Sequence, residues 1–152
     1  MPNATNKEIL VAISAALEAD ATLASYVKIF KTGLLASASM TPCINTAIAA
    51  TNITAETIGR RGYDTHTHTV MIDCCTQSMA SDIALLGNAT TKGILDMVND
   101  VADVVRISTL GGELEAPMEI TSLDYGITAE GSGMSWVAVI TLEAKVRVQR
   151  NA

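Results

Sequence analysis

Hydrophobic positions along this chain change period several times, and each change marks an element. Ile9, Leu10, Ile13 and Leu17 recur at helical intervals. They predict a helix that begins after Thr5 or Asn6, with Glu8 in the first turn, where the helix dipole favours an acid. Asp20 is placed to cap a second short turn carrying Leu23, Tyr26 and Val27. Residues 31–41 show no period and read as a loop, closed by Pro42, which disfavours helix in the residue before it. From Pro42 the period is two. Ile44, Thr46, Ile48 and Ala50 alternate with Cys43, Asn45, Ala47 and Ala49, and a second strand segment covers 53–58 after a break at Thr51-Asn52. Gly59-Arg60-Arg61-Gly62 is a turn flanked by glycines. Residues 65–77 are rich in β-branched side chains and read as a strand with Val70, Ile72 and Cys74 on one face.

The second half opens with two helices and closes with a β-hairpin, and no internal repeat is visible. Residues 78–86 predict a short helix closed by Gly87-Asn88. The clearest helix follows over 91–107. Ile94, Val98, Val101 and Val105 form its apolar stripe, widened by Met97 and Val104, with Asp96, Asn99, Asp100 and Asp103 opposite. Residues 117–123 predict a strand, and 125–133 a glycine-rich turn or loop. A long strand closes the chain: Trp136, Ala138, Ile140, Leu142, Ala144, Val146 and Val148 face one way, and Val137, Val139, Thr141, Glu143, Lys145, Arg147 and Gln149 the other. It is about 45 Å long at ~3.3 Å per residue, beyond the common strand length. A strand of that reach either crosses a curled sheet or extends to a neighbour. Strand–helix–strand alternation is not sustained, so the expected class is α+β, a mostly antiparallel sheet with helices packed on one face. The 152 residues are expected to form one domain, 1–152.

Composition narrows the functional classes. The hydrophobic fraction is 49% but aromatics are only 3%, so the core must be aliphatic, and part of the apolar surface is expected to be buried against other subunits. The net charge of −6 argues against wrapping duplex nucleic acid, and scarce aromatics argue against a single-strand stacking platform. No sequence-specific nucleic-acid binding is expected. No apolar run reaches the roughly 18 residues of a membrane span, and the first residues lack the basic and apolar regions of a secretion signal. Cys43, Cys74 and Cys75 are an odd number without metal or redox spacing, and free thiols in a reducing compartment are expected.

Candidate chemistry is sparse. His66 and His68 share a strand face, a metal-ligand spacing without a third ligand, and read as polar residues at a wet strand end. The Asp96, Asp100, Asp103 stripe reads as a solvated face. Cys74 lies about 20 Å from the nearer histidine along an extended strand, too far to pair with it. Gly131-Ser132-Gly133 lacks the strand-to-helix elbow of a nucleophile, and no phosphate-binding glycine loop is present. No enzyme, metal or cofactor is expected. The contact candidates are Arg60, Arg61 and Tyr63 at the hairpin tip, where Arg and Tyr favour interface hot spots, with Lys145 and Arg147 on the last strand.

The segment Ile13-Ser14-Ala15-Ala16-Leu17-Glu18-Ala19-Asp20-Ala21-Thr22-Leu23-Ala24 resembles the start of tailed-phage tail-terminator and tail-completion proteins, where a helix ends in a short Asp-x-x-Leu segment. The proline-led strand 42–50, the long strand through Thr69-Val70-Met71-Ile72-Asp73-Cys74, Ala84-Leu85-Leu86, the helix 91–107 and two closing strands over 117–149 are also similar to that family. The resemblance covers most of the chain. Residues 31–41 depart from it, being longer and more apolar than the family's link. The resemblance implies a virion protein, assembled in the host cytoplasm. It would form a ring of six copies at the head-proximal end of the tail tube, with the tail tube protein and the head-tail connector or stopper protein as partners, and the genome passing through. Another neck or tube subunit, or a small cytoplasmic ligand-binding domain, is the alternative.

Overall fold

The computed structural model describes residues 5–33, 42–56, 62–78, 81–107, 114, 117–130 and 133–150. Helix α1 (Asn6–Ala19) starts at Thr5, whose side chain accepts from the Glu8 amide while Glu8 reaches back to the Thr5 amide at 2.8 Å. This reciprocal capping box satisfies two amides that the first helical turn leaves unpaired. Asp20 ends α1 and caps α2 (Ala21–Ala24), accepting from the Leu23 amide at 2.9 Å. Strand β1 (Ile29–Thr32) follows, so Lys31 and Thr32, expected in a loop, belong to a strand, and residues 34–41 of that expected loop lie outside the described residues. Then come β2 (Cys43–Ala55), β3 (Tyr63–Ser78), α3 (Ser81–Leu86), α4 (Ile94–Ile107), β4 (Glu119–Glu130) and β5 (Gly133–Gln149).

The five strands form one sheet in the order β1-β2-β3-β5-β4. Only β1–β2 is parallel; the other three pairings are antiparallel. The fold is α+β with a mostly antiparallel sheet. The apolar stripes of α1, α2 and α4 (Ile9, Ile13, Leu17, Leu23, Met97, Val101) close on Ile44, Val70, Ile72 and Cys74 and on Ala138, Ile140, Leu142, Ala144 and Val146. All those sheet residues share one face, so the helices lie on one side, and the alternation of β5 is the pattern that specifies it.

Three strands depart from their sequence reading. β2 runs unbroken through Thr51-Asn52, and a bulge between Ile48 and Ala50 inserts one residue. Ala50 therefore pairs with Thr69 and turns to the helix-free face, while Thr51 and Ile53 take the face of Ile48. β4 continues through the expected turn to Glu130, and a bulge between Ile120 and Ser122 puts Leu123, Tyr125 and Ile127 on the helix side. β5 begins at Gly133, three residues early, and its 17 residues span about 56 Å at ~3.3 Å each.

Both bulges sit on one rung. Ile48 pairs with Val70, Val70 with Leu142 and Leu142 with Ile120. β1 has already ended opposite Thr46, and β4 begins at Glu119, opposite Glu143. Among the described residues only β2, β3 and β5 continue beyond that rung, as a three-stranded arm of residues 50–55, 64–68 and 144–148 and their flanks.

The α3–α4 link is tightly packed. Gly87 holds φ at +75°, and a Cβ added at Gly93 would stand 2.4 Å from the Gly87 nitrogen and 2.5 Å from the Leu85 oxygen.

Candidate interaction surfaces

At the arm's end β5 carries Lys145 and Arg147 on the helix-free face, opposite Thr67 and Thr65. Lys145 is exposed. The Arg147 guanidinium lies 4.7 Å from the centre of the Tyr63 ring, and its Nε donates to Glu56 Oε2 at 3.0 Å. Arg150 Nε lies 3.3 Å from Asp64 Oδ1. Three of the expected contact residues, Tyr63, Lys145 and Arg147, are thus gathered on one end of the sheet. Arg60 and Arg61 lie outside the described residues. The Arg147–Glu56 pair is solvent-exposed and contributes little to folding, of order 0–1 kcal/mol, whereas the Arg150–Asp64 side chains are 31% and 17% exposed.

The opposite face of the arm holds the two histidines. His68 is 1% exposed, and its Nδ1 lies 2.9 Å from Thr51 Oγ1, while Nε2 has no hydrogen-bond partner among the described residues. The expectation of a wet strand end is corrected for His68: Thr5 and Asn6 at the start of α1, Ile53 and Val148 share its pocket of about 310 Å³. Burial lowers the His68 pKa below the usual histidine value, and the neighbouring His66 lowers it further. Among the described residues no group of three or more His, Cys, Asp or Glu side chains is gathered to hold a metal ion.

The acidic stripe of α4 is divided in its roles. Asp96 Oδ2 accepts from the Gly93 amide at 3.1 Å, and Asp100 accepts from the Tyr26 hydroxyl at 2.6 Å. Of the three acids only Asp103 is exposed and the other two are half-buried, so the stripe is not one solvated face. Burial, and then the Asp100 hydrogen bond, push the Tyr26 hydroxyl well above its ordinary pKa. The Cys74 thiol is wholly buried, which raises its pKa and removes it as a nucleophile. Cys75 faces the other way, opposite Cys43, as adjacent strand residues must.

A second surface was not anticipated. Leu123, Tyr125 and Ile127 of β4 are 39%, 46% and 45% exposed, and Ile53 at the arm's edge is 62% exposed. β4 is the last strand of the sheet, so its outer edge has no partner strand among the described residues. On β2 the β1 pairing ends at Thr46, which leaves 47–55 an unpaired edge among the described residues. The signal for the β4 strip was the alternation Leu123-x-Tyr125-x-Ile127, obscured by the glycine between.

Among solved structures the chain is similar to one from the virion of a native gene transfer agent particle, at 13% identity and a TM-score of 0.46, covering 91% of this chain and 94% of that one. No family model matches the sequence, and no curated protein matches it.

Proposed function

We propose that this chain is a structural subunit of a tailed-phage-type virion: a tail terminator, six copies of which close into a ring that caps the tail tube and meets the head connector. The observation that carries the reading is the pair of long sheet edges, on β2 and β4, that have no partner strand among the described residues, with large apolar side chains exposed beside them. A monomer normally blunts or covers such edges; a subunit leaves them for its neighbour. The element order fits the family it resembles, from the Asp20-capped link after α1 to the two closing strands. Two different edges on one chain make a heterologous contact, which closes as a ring if the rotation per copy allows it and otherwise grows as a filament. A ring of chains with net charge −6 would also present little attraction to the DNA passing through it.

Native mass spectrometry and negative-stain imaging of the purified chain, alone and with tail tube protein, test this. Discrete six-fold rings, or a hexamer formed on the end of a tube, support the terminator. Filaments of the pure chain favour a tube-type subunit instead, and a stable monomer that never joins a tube refutes both.

A further inference from the structure

We infer that Cys43 and Cys75 are a disulfide-forming pair, a covalent clamp between β2 and β3 that closes when the chain meets a peroxide.

Register brings the two together. Cys43 stands directly opposite Cys75 on antiparallel strands. Opposed Cα atoms in such a ladder lie about 4.5 or 5.5 Å apart, according to the rung, and a disulfide spans about 4.4–6.8 Å. The side chains meet as well, since Cys75 hydrogen-bonds Cys43. Both lie on the helix-free face, outside the aliphatic core, so joining them leaves the helix packing in place. Within one chain no other pairing competes. Cys74, the third cysteine, points into the core, and its opposite residue on β2 is Ile44. Across the sheet the pair is flanked by Ile29 on β1 and Val137 on β5, neither of which can react with a thiol.

The two sulfurs have different roles. Cys43 is the first residue of β2, where a strand frays most readily. The Cys75 hydrogen bond holds the Cys43 thiol below its ordinary pKa; burial opposes this, Lys31 of β1 adds to it and Asp73 opposes it. Cys43 is therefore the attacking sulfur and Cys75 the resolving one. The Cys43 sulfur attacks one oxygen of hydrogen peroxide, the O–O bond breaks, and the other oxygen leaves as water with the Cys43 proton. The Cys75 sulfur then displaces the hydroxyl of the Cys43 sulfenic acid. The S–S bond forms, the S–O bond breaks, and a second water leaves with the Cys75 proton. Two thiols are oxidised and one peroxide is reduced. With Cys43 2% and Cys75 0% exposed, only a small oxidant enters, and the folded chain reacts slowly.

The connection from β2 to β3 already joins one end of this hairpin, and the bond joins the other. Residues 43–75 become a closed loop holding the two strands that run out into the arm. The pairing is independent of the virion reading. Only its occasion rests on that reading, since a released particle passes from a reducing cytoplasm to an oxidising medium.

The experiment uses the full chain, reduced with dithiothreitol, freed of it and treated with hydrogen peroxide. Denatured in urea, the oxidised chain should take iodoacetamide at Cys74 alone and the reduced chain at all three cysteines. A peptide joining Cys43 to the Cys74-Cys75 segment should appear, persist in Cys74→Ala and be absent from Cys43→Ser and Cys75→Ser. Tm of the oxidised monomer should rise by about 5–15 °C, the scale for closing a loop on the order of 30 residues in a domain of this size. Dithiothreitol should remove the rise, which separates the bond from methionine oxidation, since that needs enzymes to reverse it. Neither serine variant should show the rise against its own reduced form. Three labelled thiols after peroxide, covalent dimers on a non-reducing gel, sulfinic acid in place of the linked peptide, or a bond without a gain in Tm would each overturn the clamp. None of these results bears on the ring, which the native mass of the reduced chain tests separately.

Discussion

Replacing Gly93 by alanine adds one methyl group at the point where α4 departs from the α3 turn. That carbon would lie 2.4 Å from the Gly87 nitrogen, 2.5 Å from the Leu85 oxygen and 2.6 Å from the Leu85 carbonyl carbon. All three are backbone atoms, so no rotamer change relieves the contact, and α4 must move off the Gly87 turn. Such movement draws on the Asp96 bond to the Gly93 amide and on the seating of Ile94 and Met97, both fully buried. Overpacking of this kind costs about 1–3 kcal/mol, and contact with backbone on two residues places Gly93→Ala at the upper end. Alanine returns about 0.4–1 kcal/mol by narrowing the unfolded ensemble, leaving a net loss of about 2 kcal/mol. For a domain of this size that lowers Tm by about 4–8 °C. Differential scanning calorimetry at a concentration that keeps the chain monomeric measures it. Gly126→Ala is the matched control. A Cβ there meets nothing within 4 Å, so the same substitution should be neutral or stabilising by up to about 1 kcal/mol, as expected for glycine in a strand. A Gly93→Ala protein melting within about 1 °C of wild type would refute the packing argument.

Tyr26→Phe removes the 2.6 Å hydrogen bond to Asp100. It should cost about 1–2 kcal/mol in urea unfolding, below the range for a fully buried charged partner because Asp100 can still reach water. His68 is held neutral in the folded state by burial, so the unfolded chain binds the extra proton as pH falls below the ordinary histidine value near ~6.5. Stability should therefore decline from pH 7.5 to 5.5, and the decline should shrink in His68→Gln; an unchanged slope in that variant means other groups set it. Cys74 should resist iodoacetamide in the native protein and react in urea, and native labelling as fast as that of a free thiol would contradict its burial.

The elements legible in the sequence were those whose pattern is local and long. The stripe Ile94, Val98, Val101, Val105 is one helix face and nothing else. The alternation from Trp136 to Val148 showed which face of β5 turns to the helices, though the strand starts three residues earlier, at Gly133. β1 was hidden because four residues carry too little period, and its parallel pairing with β2 is decided by contacts of the whole chain. The second half of β4 was hidden by Gly126, which reads as a turn residue; an exposed edge strand with open space around that position tolerates it. The two bulges leave no local signature, since Ala49 and Thr121 are ordinary strand residues. Of the candidate site, the cations and Tyr63 were legible from residue type. The burial of His68 was not, because Thr65-His66-Thr67-His68-Thr69 looks equally polar on both faces, and Thr5 and Asn6, which share its pocket, come from the other end of the chain.

The coincidence of both bulges on the Ile48–Val70–Leu142–Ile120 rung has a mechanical consequence. An inserted residue on each flanking strand steepens the local twist and bends that strand, and here the two bends fall on one line across the sheet. The sheet is then expected to behave like a plate scored once, bending between arm and body along the score. Deleting Ala49 would leave every remaining β2 residue opposite its present β3 partner and on its present face, yet flatten one side of the score. A deletion of that kind changes an angle while sparing the core, and small-angle scattering would register it as a change in shape at unchanged melting temperature.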